Sequence, residues 1–217
     1  MVYVKASERE EQIVAAAITV LSDVGVPATT LRAVAAEAGV PLGTLHYVFP
    51  TKDQLLRSVI TTLIRDISAV LRAELELDKG VEHALRHGVT SFWEKLVDSR
   101  IGLQIMQYEL MTYSLRSEAG GNLAQLQYER YSSVVTEFCE QAAQAAGERC
   151  AVGFDTLGRL ALAQIDGLIL QYVAKPDVGR ARRDLGQALD MLVLFADPQP
   201  VARSAPRRRS PAHIDRE

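Results

Sequence analysis

Thr30-Leu-Arg-Ala-Val-Ala-Ala-Glu-Ala-Gly-Val-Pro-Leu-Gly-Thr-Leu-His-Tyr-Val-Phe-Pro-Thr-Lys52 is the stretch that decides how this chain folds. Thr30 is a good helix N-cap, and the pattern after it predicts a short helix to about Ala38. Gly39 ends that helix. A second short helix follows, from about Leu42 to Val48, and Pro50 stops it. Val34, Ala38, Val40, Leu45 and Phe49 supply the apolar contacts, and small Ala35 lets the two helices approach closely. Such a pair is too small to be stable alone, so it must lean on its neighbours. Two short helices joined at a tight turn describe a helix-turn-helix, whose second helix is shaped for the DNA major groove.

The flanks read as helix too. Ile13, Ala17, Val20, Leu21 and Val24 share one face of a helix over residues 7–24. Gly25 suits its C-terminal cap, and Pro27 is expected to keep it from resuming. Thr51 caps a long helix with the stripe Leu55, Val59, Leu63, Ile67 and Val70, flanked by Leu56, Ile60, Ile64 and Leu71. Gly80 separates it from a helix over residues 81–97. Helical pattern continues through 101–115, 122–146, 154–173 and 178–195. The breaks fall at Gly120–Gly121, at Gly147, Glu148 and Arg149, and at Pro176. No segment alternates like a strand and no fixed-period repeat is present, so the expected class is all-α with about nine helices. Residues 198–217 hold Pro198, Pro200, Pro206 and Pro211, with Arg203, Arg207, Arg208, Arg209 and Arg216, and few apolar side chains. Disorder is expected there, an auxiliary arm on DNA phosphates being the functional alternative.

The stretch resembles the DNA-binding motif of the TetR family at Thr30, Ala35, Gly39, Val40, Gly43, Leu45, Phe49, Lys52 and Leu55. The likeness covers roughly residues 7–60; beyond them it is one of helix number and length. It implies a three-helix DNA-binding domain over 1–50 and a helical ligand-binding and dimerisation domain over 51–197, with the helix 51–77 connecting them. It also implies a repressor that binds a pseudo-palindromic operator as a homodimer and is released by a small molecule. Lys52 matches the family's phosphate-contacting lysine. The family usually has tyrosine where this chain has His46, whose imidazole can still donate to a phosphate. Leu42, Gly43, Thr44 and Tyr47 are expected to face base edges, Arg32 to read a base or phosphate, and Thr30 to cap the helix whose amides can hold a phosphate.

Aromatic and thioether side chains concentrate in the central helices. Trp93, Met106, Tyr108, Met111 and Phe138, with the polar Gln107 and Asp166, are the candidate effector-binding residues. An apolar or aromatic effector is expected. Glu109 and Gln104 are polar within the same run and need partners if buried. The last two helices carry apolar residues on more than one side, so they need a second packing surface. Leu157, Leu160, Ile165, Leu168, Leu185, Leu189 and Leu192 are the candidate dimer residues.

Bulk composition is ordinary: 217 residues, 48% apolar, 24% charged, and a formal net charge of −3. Overall charge therefore gives no support for nucleic-acid binding. Residues 1–57 hold five Lys/Arg against six Asp/Glu, so affinity must rest on a few placed contacts and on two heads binding together. Cys139 and Cys150 read as reduced structural thiols. No secretory signal pattern opens the chain, and its most apolar stretch, 160–173, is interrupted by Gln164, Asp166 and Gln171. A cytoplasmic protein with no membrane partner is expected. His83 and His87 have metal-ligand spacing but no evident third ligand, and no nucleophile or phosphate-loop motif is found. No enzyme activity, cofactor or metal is expected. The rival reading is a helix-turn-helix regulator controlled by a protein partner, which a filled rather than hollow centre among residues 90–170 would favour.

Overall fold

The computed structural model describes residues 6–73, 76–98, 100–116 and 122–201. It is all-α, with nine α-helices among those residues. Helix α1 (Ala6–Ala28), α2 (Leu31–Glu37) and α3 (Leu42–Val48) form the head, and α4 (Lys52–Ala73) leaves it. Then come α5 (Gly80–Phe92), α6 (Ile101–Arg116), α7 (Leu123–Ala146), α8 (Phe154–Ala174) and α9 (Val178–Ala196).

The helix starts follow capping chemistry. Thr30 Oγ1 accepts from the Ala33 amide at 3.1 Å. At α4 the caps are reciprocal: the Gln54 amide donates to Thr51 Oγ1, and the Thr51 amide donates to Gln54 Oε1, each at 3.2 Å. Gln12 Nε2 of α1 donates to the Ala38 carbonyl at 2.7 Å, satisfying the end of α2 and tying it to the first helix.

One core serves the head. Ile13, Leu21, Val34, Leu45, Phe49, Leu56 and Ile60 are buried in it, together with Met106 and Leu110 of α6 and Leu123 of α7. The division at residue 50 is therefore one of sequence, not of packing. Ser7–Ala28 is long and apolar enough by composition to span a bilayer, but Ile13, Val14, Ala17 and Leu21 bury its apolar face in this core. Helix α4 runs from the head core to a second cluster, where Leu71 meets Ala84, Phe138 and Ala142.

Three local features depart from the sequence expectation. Helical structure resumes after Gly25, because φ +79° at that glycine breaks α1 and Pro27 then sits in the first turn of a new segment, where its missing N–H costs nothing. Trp93–Val97 forms a π-helical turn, closed by the Asp98 amide on the Trp93 carbonyl at 3.0 Å. This turn lets buried Trp93 donate Nε1–H to Asp98 Oδ1 at 2.9 Å while its ring meets the edge of Tyr172. Finally, order extends past residue 197. Gln199–Pro200 pairs antiparallel with Glu148–Arg149, and the Val201 amide donates to the Gly147 carbonyl at 2.7 Å. Residues 202–217, which hold the arginines of the expected tail, lie outside the described residues, as does the Gly120–Gly121 break.

Candidate DNA interface and its links to the helical body

Helix α3 packs its Leu45 face on the head and presents the opposite face outward. Gly43, His46 and Tyr47 are exposed, Tyr47 by 88%. Leu42 and Thr44, expected to face bases, are half-buried, and Leu42 packs against the head core. Their positions, one turn or less from Leu45 on a seven-residue helix, bring them to the edge of its buried face. Arg32 is exposed on α2 beside the exposed N-cap Thr30. An aromatic ring left in solvent at this level costs apolar exposure with no return inside the protomer, which marks Tyr47 as a contact residue.

Lys52 has a different place from the one its motif position implies. Its ammonium donates to the Val26 carbonyl at 2.7 Å and the Thr29 carbonyl at 2.8 Å, and lies 5.5 Å from the centre of the Tyr113 ring. Burial lowers its pKa, against the opposing pull of Asp53. Two of its three N–H donors are thus engaged in joining α4 to the end of α1. Replacing Lys52 with Met is expected to lower stability by about 1–3 kcal/mol, since two carbonyls lose a charged donor. A urea titration checks it; an unchanged midpoint with weakened DNA binding would return Lys52 to a phosphate role.

Glu109 of α6 holds the same joint from the other side. Its Oε2 accepts from the Val26 amide at 2.7 Å, so the carboxylate sits on the first free N–H after the Gly25 break. The device recurs at Gly80, where φ is +83° and Glu148 Oε2 accepts from the Val81 amide at 2.8 Å. In each case a glycine turns the chain and a distant glutamate caps the helix that follows. Sequence reasoning marked Glu109 as needing a partner but not which one, because the partner amide lies 83 residues away. Beside this joint, Pro27, Ile105, Tyr108, Glu109, Tyr113 and Leu170 line part of an open cleft of about 430 Å³ between α1, α6 and α8.

The candidate effector residues divide. Trp93, Met106 and Phe138 are buried in three different clusters, under Tyr172, in the head core, and in the seam of α5 with α7. They fill the core because each large side chain points to a helix crossing rather than to a shared hollow. Met111 is half-buried. Gln107, Tyr108 and Asp166 do come together. Tyr108 Oη donates to the Asp166 carbonyl at 2.9 Å, and Tyr131 Oη donates to Gln107 Oε1 at 2.6 Å. Gln107 in turn donates to Gln104 Oε1 at 3.2 Å, and Gln104 to the Leu96 carbonyl at 2.7 Å. Tyr128, absent from the sequence expectation, hydrogen-bonds the Asp166 carboxylate. Burial pushes the Asp166 carboxyl up, against the Tyr128 bond. Burial and then the Asp166 charge also raise Tyr108 and Tyr131, and bring Tyr128 up to about 12. The cavity that reaches Gln104 and Gln107 is only about 50 Å³, smaller than a ligand site needs.

The candidate dimer residues also divide. Leu157, Ile165, Leu185, Leu189 and Leu192 are buried within the protomer, and Leu168 packs against the Trp93 cluster. Leu160 is 45% exposed. With apolar residues on two sides of each helix, the pattern could not say which side met the chain's own core. The outward side of α8 is Leu160, Ala163, Gly167, Leu170 and Ala174, spaced 3, 4, 3 and 4 residues apart; on α9, Met191, Leu194 and Phe195 are exposed. His83 and His87 stack at 5.2 Å, and no group of three metal-ligating residues occurs among the described residues.

An outward-facing second helix on an all-α head, continued by a long helix into a helical body, defines a helix-turn-helix transcription regulator. Residues 13–59 match the profile of bacterial regulatory proteins of the tetR family, and the chain is a TetR-family DNA-binding transcriptional regulator, not an enzyme. It is 24% identical over 169 residues to the nicotine-responsive transcriptional repressor HdnoR of Paenarthrobacter nicotinovorans, covering 78% of this chain and 86% of that one. A transcriptional regulator from Rhodococcus sp. Rha1 shares the fold, with TM-score 0.69 and 21% identity over 88% of this chain and 99% of that one. The multidrug binding protein EbrR, solved with imidazole, aligns with TM-score 0.60 and 26% identity over 91% of this chain and 98% of that one.

Proposed function

We propose that this chain is a cytoplasmic repressor that binds a pseudo-palindromic operator as a homodimer and leaves it when a small apolar or aromatic molecule binds the helical body. The observation that carries the reading is the pair of links at Val26. Lys52 of α4 and Glu109 of α6 hold its carbonyl and its amide, so displacement of α6 must move the end of α1, on which the α2–α3 pair leans. In this reading residues 1–50 are the DNA-binding unit and 51–197 the sensing and dimerising unit, joined by α4. Gly43, Thr44 and Tyr47 read bases, with Leu42 holding the helix in register. Arg32, His46 and the capped start of α2 at Thr30 contact the backbone or the nearest base. The α8–α9 outward faces pair two protomers. HdnoR, a nicotine-responsive repressor by name, supports the coupling of ligand to DNA binding.

The buried positions of Trp93, Met106 and Phe138 favour a second reading, control by a protein partner with no small molecule. Footprinting on DNA upstream of the protein's own gene tests the first. Two protected half-sites, separated by one or more turns of about 10 base pairs, are expected. A single protected half-site at saturation would contradict the dimer. Protection unmoved by any member of a broad library of small apolar and aromatic compounds would transfer the weight to the protein partner.

A further inference from the structure

Asp166 is a half-buried carboxylate with no cation against it among the described residues; its side-chain partner is the Tyr128 hydroxyl. Tyr108 and Tyr131 complete an aromatic surround, and the charge of Asp166 bears on all three tyrosines. Gln127, 6% exposed on α7, leaves its Oε1 without a partner. A buried acceptor left unpaired costs about 1–3 kcal/mol, so its persistence here marks a position that something else completes. Every unsatisfied element of this cluster is therefore negative or electron-rich.

Space adjoins the cluster on both sides along α8. Tyr108, Leu170 and Val173 line part of the 430 Å³ cleft, toward the helix end. Tyr128, Leu162 and Ala163 line part of a second cleft of about 500 Å³, one turn toward the helix start. Both clefts are sized for a small ligand with an apolar body.

We propose that the Asp166–Tyr108–Tyr128–Tyr131 cluster recognises an organic ammonium ion whose apolar body lies in the adjoining cleft. The assignment rests on the ligand-responsive reading above and names its ligand class. The ammonium takes the Tyr128 position on the carboxylate, and tyrosine faces supply the remaining contact, as rings do for cations generally. An N–H of a primary or secondary amine gives Gln127 Oε1 its donor. Entry through the Tyr108 cleft places the ligand against Glu109 and Pro27, the joint that holds the DNA head.

Titration calorimetry with three probes of one skeleton tests this: 3-phenylpropylamine (protonated), 3-phenylpropanol (neutral) and 3-phenylpropanoate (anionic). The amine is expected to bind at least tenfold more tightly than the alcohol, and the carboxylate more weakly than either. Asp166→Asn, which keeps the shape, should remove the amine's advantage and leave the alcohol unchanged. Tyr128→Phe, which frees the carboxylate, should hold or raise amine affinity, whereas a purely structural cluster would only lose it. Equal affinities for amine and alcohol, or an advantage that survives Asp166→Asn, overturns the proposal. If the alcohol or the carboxylate binds more tightly and releases operator DNA, the cation assignment fails while the ligand-responsive reading stands. If none of the three binds, the cation assignment fails as well, and the operator-release screen decides the broader reading independently.

Discussion

Gly25→Ala is expected to lower the unfolding free energy by about 2–4 kcal/mol, from an unfavourable backbone conformation and a displaced charged hydrogen bond. At φ +79° and ψ 165° the residue occupies a region that side chains avoid, and a β-carbon there would lie 2.6 Å from Glu109 Oε2. Glu109 can swing away only by releasing the Val26 amide. The loss should appear as a lower urea midpoint. Glu109→Gln is the companion variant: it keeps an acceptor for Val26 but removes the charge, so its cost should be smaller. A Gly25→Ala midpoint within error of the parent would mean that α1 does not depend on this break.

The second large effect concerns Gly167→Glu. Nothing in the protomer lies within 4 Å of a β-carbon built at Gly167, so the substitution meets no obstacle in the isolated chain. Exchanging a helical glycine for a helix former should raise protomer stability by up to about 1 kcal/mol. In the proposed dimer, Gly167 is at the middle of the Leu160, Ala163, Gly167, Leu170 seam, where small side chains let two helices close. Two glutamates facing each other there would part them. Sedimentation velocity should give a folded monomer, with operator affinity reduced about 100-fold or more, because the second head no longer binds intramolecularly. A dimer of undiminished affinity would place the subunit contact elsewhere.

Much of the fold is legible in the sequence for a plain reason. The element breaks fall at Gly39, Pro50, Gly80, Gly147 and Pro176, where backbone chemistry acts locally, and the caps at Thr30 and Thr51 act within one turn. The outward face of α3 follows from the burial of Leu45 and Phe49. What escaped depends on partners far along the chain. The Glu109–Val26 and Glu148–Val81 caps, the capture of Lys52 by Val26 and Thr29, and the sorting of the two apolar sides of α8 are tertiary facts with no local signature. Tyr128 was passed over because tyrosines at one-turn spacing look alike until Asp166 selects among them. The π-helical turn at Trp93 is likewise set by Asp98 and by packing on Tyr172.

The account turns on α3 reading DNA through its exposed face. The direct measurement is fluorescence anisotropy of parent and Tyr47→Ala protein on DNA upstream of the gene, against a scrambled duplex at the same salt. The parent should prefer its own sequence by about 10³-fold or more, the range typical of specific binders. Tyr47→Ala should lose most of that preference while keeping its thermal midpoint and its weak binding to the scrambled duplex. An undiminished preference in the variant would contradict the assignment of α3 as the recognition helix.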